Sequence, residues 1–140
     1  SYSLHRGSVS GDPEKIRADY RENMEASTLA LSVRGDANAS QRLYEALSCG
    51  RVPLFLDTDS VLPLEGIAPY EKCIIRVPCS GIHALPDRAA AWHTEHTNVS
   101  FLEAESAAQA LFRKYLRLDR YFEIVFDRDS SPYKKVLYGK

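Results

Sequence analysis

Short apolar runs alternate along the chain with segments in which apolar residues recur every three or four positions, the order expected of an α/β domain. Ile16, Tyr20 and Met24 recur at intervals of four behind Asp12-Pro13, an N-cap residue followed by a proline at the first helical position. A helix over residues 13–26 is predicted. The β-prone run 28–33 then reads as a core strand closed by the turn-forming Gly35-Asp36-Ala37-Asn38. Asn38 and Gln41 have the spacing of a capping box, Leu43, Ala46 and Leu47 form an apolar stripe, and Gly50 stands where a helix stop belongs. That places a second helix over 39–49 and a buried strand over 52–56, where Pro53 lies near the start and its missing N–H is tolerated.

Further on, residues 62–66 read as a loop, 73–77 as a strand ended by Pro78, and Pro86 as the opening of a helix to about His96. Ser100 with Glu103 repeats the capping-box spacing, and Ala104, Ala108, Leu111, Tyr115 and Leu118 mark one face of a long helix. Residues 121–126 fit either a last strand or a helical extension. Residues 3–9 read as a first strand that ends in the glycine-containing stretch 7–11. Strands joined by helices in this order imply a Rossmann-like, mostly parallel sheet with flanking helices and right-handed crossovers. Ligands of such sheets sit beyond the carboxyl ends of the strands, where the turns at 7–11 and 34–42 are expected.

Composition narrows the class. A length of 140 residues is one domain's worth, and 44% hydrophobic with 26% charged residues is ordinary globular usage rather than disorder. The near balance of 18 basic and 19 acidic side chains removes any general attraction to nucleic acid or anionic lipid. Cys49, Cys73 and Cys79 are odd in number and lack C-x-x-C spacing, so reduced thiols are expected, with a slight tilt toward a cytoplasmic location. No apolar run approaches the roughly 20 residues of a membrane span, and residues 1–10 lack the apolar core of a signal peptide. Ser1 in place of Met points to a processed chain or an excised piece.

The stretch 34–54 carries the candidate chemistry. It sets a turn and a helix N-terminus directly after a strand, where free N–H groups and the helix dipole favour phosphate oxygens, and Arg34, Ser40 and Arg42 add donors. Arg42 and Glu45 are three apart and share a helix face, so a guanidinium suited to a pyrophosphate stands beside a carboxylate suited to sugar hydroxyls. On spacing alone, a solvated i,i+3 ion pair accounts for them better than a ligand site does. Arg34-Gly35-Asp36 is also an adhesion tripeptide, but it sits at a strand-to-helix turn. His93 and His96, with His83 and Cys79 upstream, lack a third ligand at motif spacing, and no metal is expected. Cys79-Ser80-Gly81 reads as a plain loop. The glycosylation-type triplets Asn38-Ala39-Ser40 and Asn98-Val99-Ser100 coincide with expected helix caps.

The ordered run Met24-Glu25-Ala26-Ser27, Leu29 to Val33, Arg34-Gly35-Asp36, Ser40-Gln41-Arg42, Glu45-Ala46, Gly50, Val52-Pro53 and Leu62-Pro63-Leu64 resembles the C-terminal nucleotide-sugar subdomain of the exostosin-like (GT47-like) glycosyltransferases. The resemblance spans about residues 20–77. It implies the C-terminal, donor-binding half of a two-domain GT-B enzyme, so that residues 1–140 form one donor-binding domain. The implied reaction moves a sugar from a UDP-sugar to a glycan acceptor, inverting and without a metal or other cofactor. By the same likeness Arg42 contacts the diphosphate, Glu45 the ribose, and Ser40 with nearby N–H groups the phosphates. Arg34 is a second cation, and Asp36, Asn38, Gly7 and Ser8 complete the donor site. The catalytic base is expected in an N-terminal acceptor domain, so this chain alone is expected to transfer nothing. Family members with a membrane anchor work in the Golgi lumen, the alternative location. The alternative function is a non-catalytic α/β interaction module. The interval between Gly7 and Tyr20 is shorter than the family's, which puts one strand and helix of the subdomain in doubt.

Overall fold

The computed structural model describes residues 3–5 and 8–139. A hairpin comes first: β1 (Ser3–His5) and β2 (Ser8–Ser10) pair antiparallel, with Leu4 opposite Val9. This corrects the expected single strand over 3–9. The hairpin is a sheet of its own, separate from the parallel sheet, so Ser8–Ser10 do not belong to the parallel sheet, while Gly7 of the expected turn at 7–11 lies outside the described residues. Helix α1 (Pro13–Ala26) follows, its N-terminus capped by Asp12, whose Oδ1 accepts from the N–H of Glu14 at 3.0 Å.

The second sheet is three parallel strands in the order β3 (Leu29–Ser32), β4 (Val52–Asp57) and β5 (Ile75–Pro78). Leu31 pairs with Leu54 and Leu56 with Val77. In the centre, β4 buries every residue from Val52 to Leu56, the continuous apolar run of a strand covered on both faces. Strand β3 lies at the sheet's edge instead. Ala30 and Ser32 are buried while Leu31 is 53% exposed, so the expected core strand over 28–33 is a half-covered edge. The strand expected from Cys73 starts at Ile75, because Cys73 and Ile74 close a short 3₁₀ turn by donating to the carbonyl of Tyr70.

Helix α2 (Gln41–Ser48) packs Leu43, Ala46 and Leu47 onto the sheet. Gly50 ends it with φ of 69°, a conformation that favours glycine, and an added Cβ would stand 3.3 Å from the carbonyl oxygen of Glu105. Beyond β5, α3 (Leu85–Glu95) and α4 (Asn98–Leu111) follow. The capping box of α4 is real but shifted: Thr97 is the N-cap and Ser100 its N3 partner, with the Ser100 N–H donating to Thr97 Oγ1 and the Thr97 N–H to Ser100 Oγ. Neither Asn38 nor Asn98 is therefore a cap.

The long helix predicted through Leu118 is broken. A π-helical turn over Phe112–Leu116 and extended backbone at Arg117 (ψ 135°) separate α4 from α5 (Leu118–Phe126). The widened turn resets the helical phase, so Leu116 takes the buried place and Leu118 is 74% exposed. Residues 121–126 are helical, Val125 closes the main core with Leu43, Leu47, Phe55 and Leu111, and α6 (Lys134–Tyr138) ends the described chain. Among the described residues no helix is long and apolar enough to cross a membrane.

Candidate functional site

Because the strands of the second sheet are parallel, the segments that leave β3 and β4 emerge on one edge. Residues 33–40 form the first of these, drawn into a turn by the Gly35 N–H donating to the Ala39 carbonyl at 2.9 Å. Asn38 ties this turn to the second. Its Nδ2 donates to the carbonyls of Thr58 (3.1 Å) and Asp59 (3.3 Å), and its Oδ1 accepts from Thr58 Oγ1 (2.5 Å) and Ser60 Oγ (3.2 Å). Asp59 holds a left-handed φ of 59°, which an Asp tolerates in such a turn. Asn38 is thus a strut between two loops rather than the cap of α2.

The cap of α2 is Ser40, two residues later than the spacing implied, and it makes no side-chain cap bond. Ser40 is 5% exposed, and its Oγ is buried without a partner. Together with the uncapped first turn of α2 this leaves donors and an uncommitted hydroxyl at the positive end of a helix dipole, an arrangement suited to anionic oxygens.

A groove of about 910 Å³ opens over this helix end, lined by Arg34, Asp36, Ser40, Arg42 and Glu45 with Tyr20 from α1. Five of the sequence-predicted residues therefore share one groove. Asn38 does not line it, Ser8 lies in the separate hairpin opposite His5, and Gly7 falls outside the described residues.

Within the groove Arg42 and Glu45 approach at 3.7 Å, each about half exposed (48% and 49%). Tyr20 completes the group. Its ring lies under the Arg42 guanidinium, 4.6 Å from Cζ to centroid, and its hydroxyl donates to Glu45 Oε2. Burial, then the hydrogen bond to Glu45, push the Tyr20 phenol up to about 12, against a smaller lowering by Arg42, so it remains a donor at neutral pH. Tyr20, which opens the stretch of resemblance and lies on the apolar stripe of α1, was not among the residues expected in the site. The signal that placed it here was the i,i+4 spacing from Met24, which is buried with Ala30 and Ala46 of the sheet and α2 and so turns this face of α1 toward α2.

Nearby on the same edge, Arg76 of β5 donates to Asp57 Oδ2 at 2.8 Å and to Glu65 Oε1 at 2.7 Å. The guanidinium holds the Glu65 carboxyl below its ordinary range. These three charges satisfy one another, and Glu65 and Arg76 line a different, smaller cavity. No group of three or more His, Cys, Asp or Glu side chains is arranged to hold a metal ion among the described residues. His96 stacks on Trp92 with ring centroids 4.0 Å apart, and His93 lies edge-on to Phe101. Cys49, Cys73 and Cys79 are free thiols.

Comparison with the curated proteins gives no match. Against protein families, residues 3–90 match the Exostosin GT47 domain, a span that takes in the hairpin, the parallel sheet, the groove and the start of α3. A match over more than half of the chain, centred on the residues that build the groove, makes this protein a member of the exostosin GT47 family of glycosyltransferases.

Proposed function

We propose that the chain is the donor-binding part of a glycosyltransferase that moves a sugar from a UDP-sugar to a glycan acceptor, inverting the anomeric centre without a metal. The observation that carries this reading is the convergence of Arg34, Ser40, Arg42 and Glu45 on one groove at the uncapped start of α2. In this reading Arg42 takes the diphosphate by charge-assisted hydrogen bonds, with Arg34 as the second cation. Ser40 Oγ and the first N–H groups of α2 take the remaining phosphate oxygens, and Glu45 accepts from ribose hydroxyls. Asp36 lines the same groove. As the glycosidic bond to the diphosphate breaks, negative charge grows on the departing UDP, and these fixed donors stabilise it in place of a metal ion.

The base that activates the acceptor hydroxyl comes from an acceptor domain outside these 140 residues, so the chain alone binds donor weakly and transfers nothing. Titrating it with UDP while following backbone amide shifts tests the reading. Shifts confined to residues 34–45 are expected; unchanged amides there at millimolar UDP overturn it.

A further inference from the structure

Arg42 and Glu45 sit one helical step apart with opposite charges, and left to themselves they close on each other. An i,i+3 guanidinium and carboxylate on an exposed helix face reach a bidentate pairing readily. They do not do so here: the approach is 3.7 Å, between Arg42 Nε and Glu45 Oε2, and that same Oε2 accepts from the Tyr20 hydroxyl. The Tyr20 ring meanwhile seats the guanidinium from below at 4.6 Å. One side chain from a different helix therefore touches both members of the pair and stands between them and a closed ion bridge.

We infer that Tyr20 is a positioning residue that holds the Glu45 carboxylate off Arg42, so that the guanidinium stays open to an anionic diphosphate. This rests on the donor reading above, which assigns the diphosphate to Arg42. The hydroxyl supplies the hold on Glu45 and the ring supplies the seat for Arg42, so the two functions separate chemically. In Tyr20→Phe the ring and the seat are kept while the hydroxyl is lost. Glu45 is then released onto Arg42, and the anion must compete with a carboxylate for the same donors. Removing that carboxylate's charge as well, in Tyr20→Phe/Glu45→Gln, reopens Arg42.

Inorganic pyrophosphate is the direct probe, because it reports the phosphate contacts without the ribose. Calorimetric titration of the 140-residue chain is expected to show Tyr20→Phe weakening pyrophosphate binding roughly tenfold, the scale of one charge-assisted hydrogen bond, with the double variant recovering it. Equal affinity in wild type and Tyr20→Phe overturns the inference while leaving the donor site intact. Loss in Tyr20→Phe that Glu45→Gln fails to recover also overturns it, since Tyr20 then acts only through general packing. If the wild-type chain binds neither pyrophosphate nor UDP, the donor reading itself fails and the inference falls with it. The positioning role predicts that Tyr20→Phe costs affinity in the wild-type background but not in the Glu45→Gln background; an equal loss in both overturns it.

Discussion

Two arginine–glutamate pairs, one on α2 and one just beyond its end, are built to opposite ends. Arg51 Nη1 meets Glu105 Oε1 at 2.7 Å with both side chains about three-quarters covered, tying the start of β4 to α4. Arg42 and Glu45 stand 3.7 Å apart, half exposed, with the carboxylate shared with Tyr20 and the guanidinium facing a groove. The closed pair joins two elements of the fold through Nη1, while Arg51 Nε lies buried without a partner. The open pair keeps capacity in reserve. An ion pair seen in the sequence thus says little until its partners are known, because the same two residue types serve as a fastening in one place and as a binding surface in the other.

The sharpest way to break this contrast is to truncate each arginine. On the proposed donor reading, Arg42→Ala is expected to lower turnover of the active glycosyltransferase by ~10²-fold or more, as loss of a donor to developing charge does. Its thermal unfolding is expected to move little, since exposed substitutions usually cost under about 0.5 kcal/mol. Near-normal turnover removes Arg42 from the site. Arg51→Ala is expected to behave in reverse. It leaves a partly covered carboxylate unpaired and costs about 2 kcal/mol of stability, between the values for exposed and fully buried pairs. Denaturant unfolding measures this, and an unchanged midpoint would show that the Arg51–Glu105 contact holds nothing together.

The smallest effect concerns the third arginine. Glu65, bound by Arg76, has its carboxyl held below its ordinary value of 4.5, so its contribution to stability is present above that pH and is lost as pH falls through the lowered folded value. Wild type is expected to unfold at a higher temperature than Glu65→Gln near neutrality, with the two converging below about pH 4. Parallel curves down to pH 3 would mean that Arg76 does not discriminate between the charged and neutral carboxyl.

Much of the architecture was legible from local pattern. Asp12-Pro13 fixed the start of α1, the unbroken apolar run at 52–56 marked the strand that proved central, and Gly50 stopped α2. The misreadings share a cause, which is that short-range spacing does not reveal tertiary partners. Asn38 and Gln41 have capping-box spacing, yet the Asn38 amide finds better partners twenty residues away in the loop after β4. The stripe from Ala104 to Leu118 assumes a constant helical phase, which the π turn at Phe112–Leu116 does not keep. The edge position of β3 depends on which strands pair, and its alternation was hidden in a run of residues that are all β-prone.

The candidate site divides in the same way. Arg34, Ser40, Arg42 and Glu45 were visible because they follow one another along a strand, turn and helix. Tyr20 was not, since its contacts with Arg42 and Glu45 join α1 to α2, with Tyr20 and Glu45 25 positions apart. The Arg76 triad likewise gathers β4, β5 and the loop between them, and nothing in the spacing of Asp57, Glu65 and Arg76 announces it.

The strut made by Asn38 bears on the thermodynamics of ligand capture. A loop that must be ordered on binding gives up part of the contact energy to lost conformational freedom. Here the turn over residues 33–40 is already braced against the segment after β4 by four hydrogen bonds from one side chain. The groove is pre-shaped, and a ligand arriving there forfeits little backbone entropy. Affinity then depends on the quality of the polar contacts more than on the cost of assembling the site.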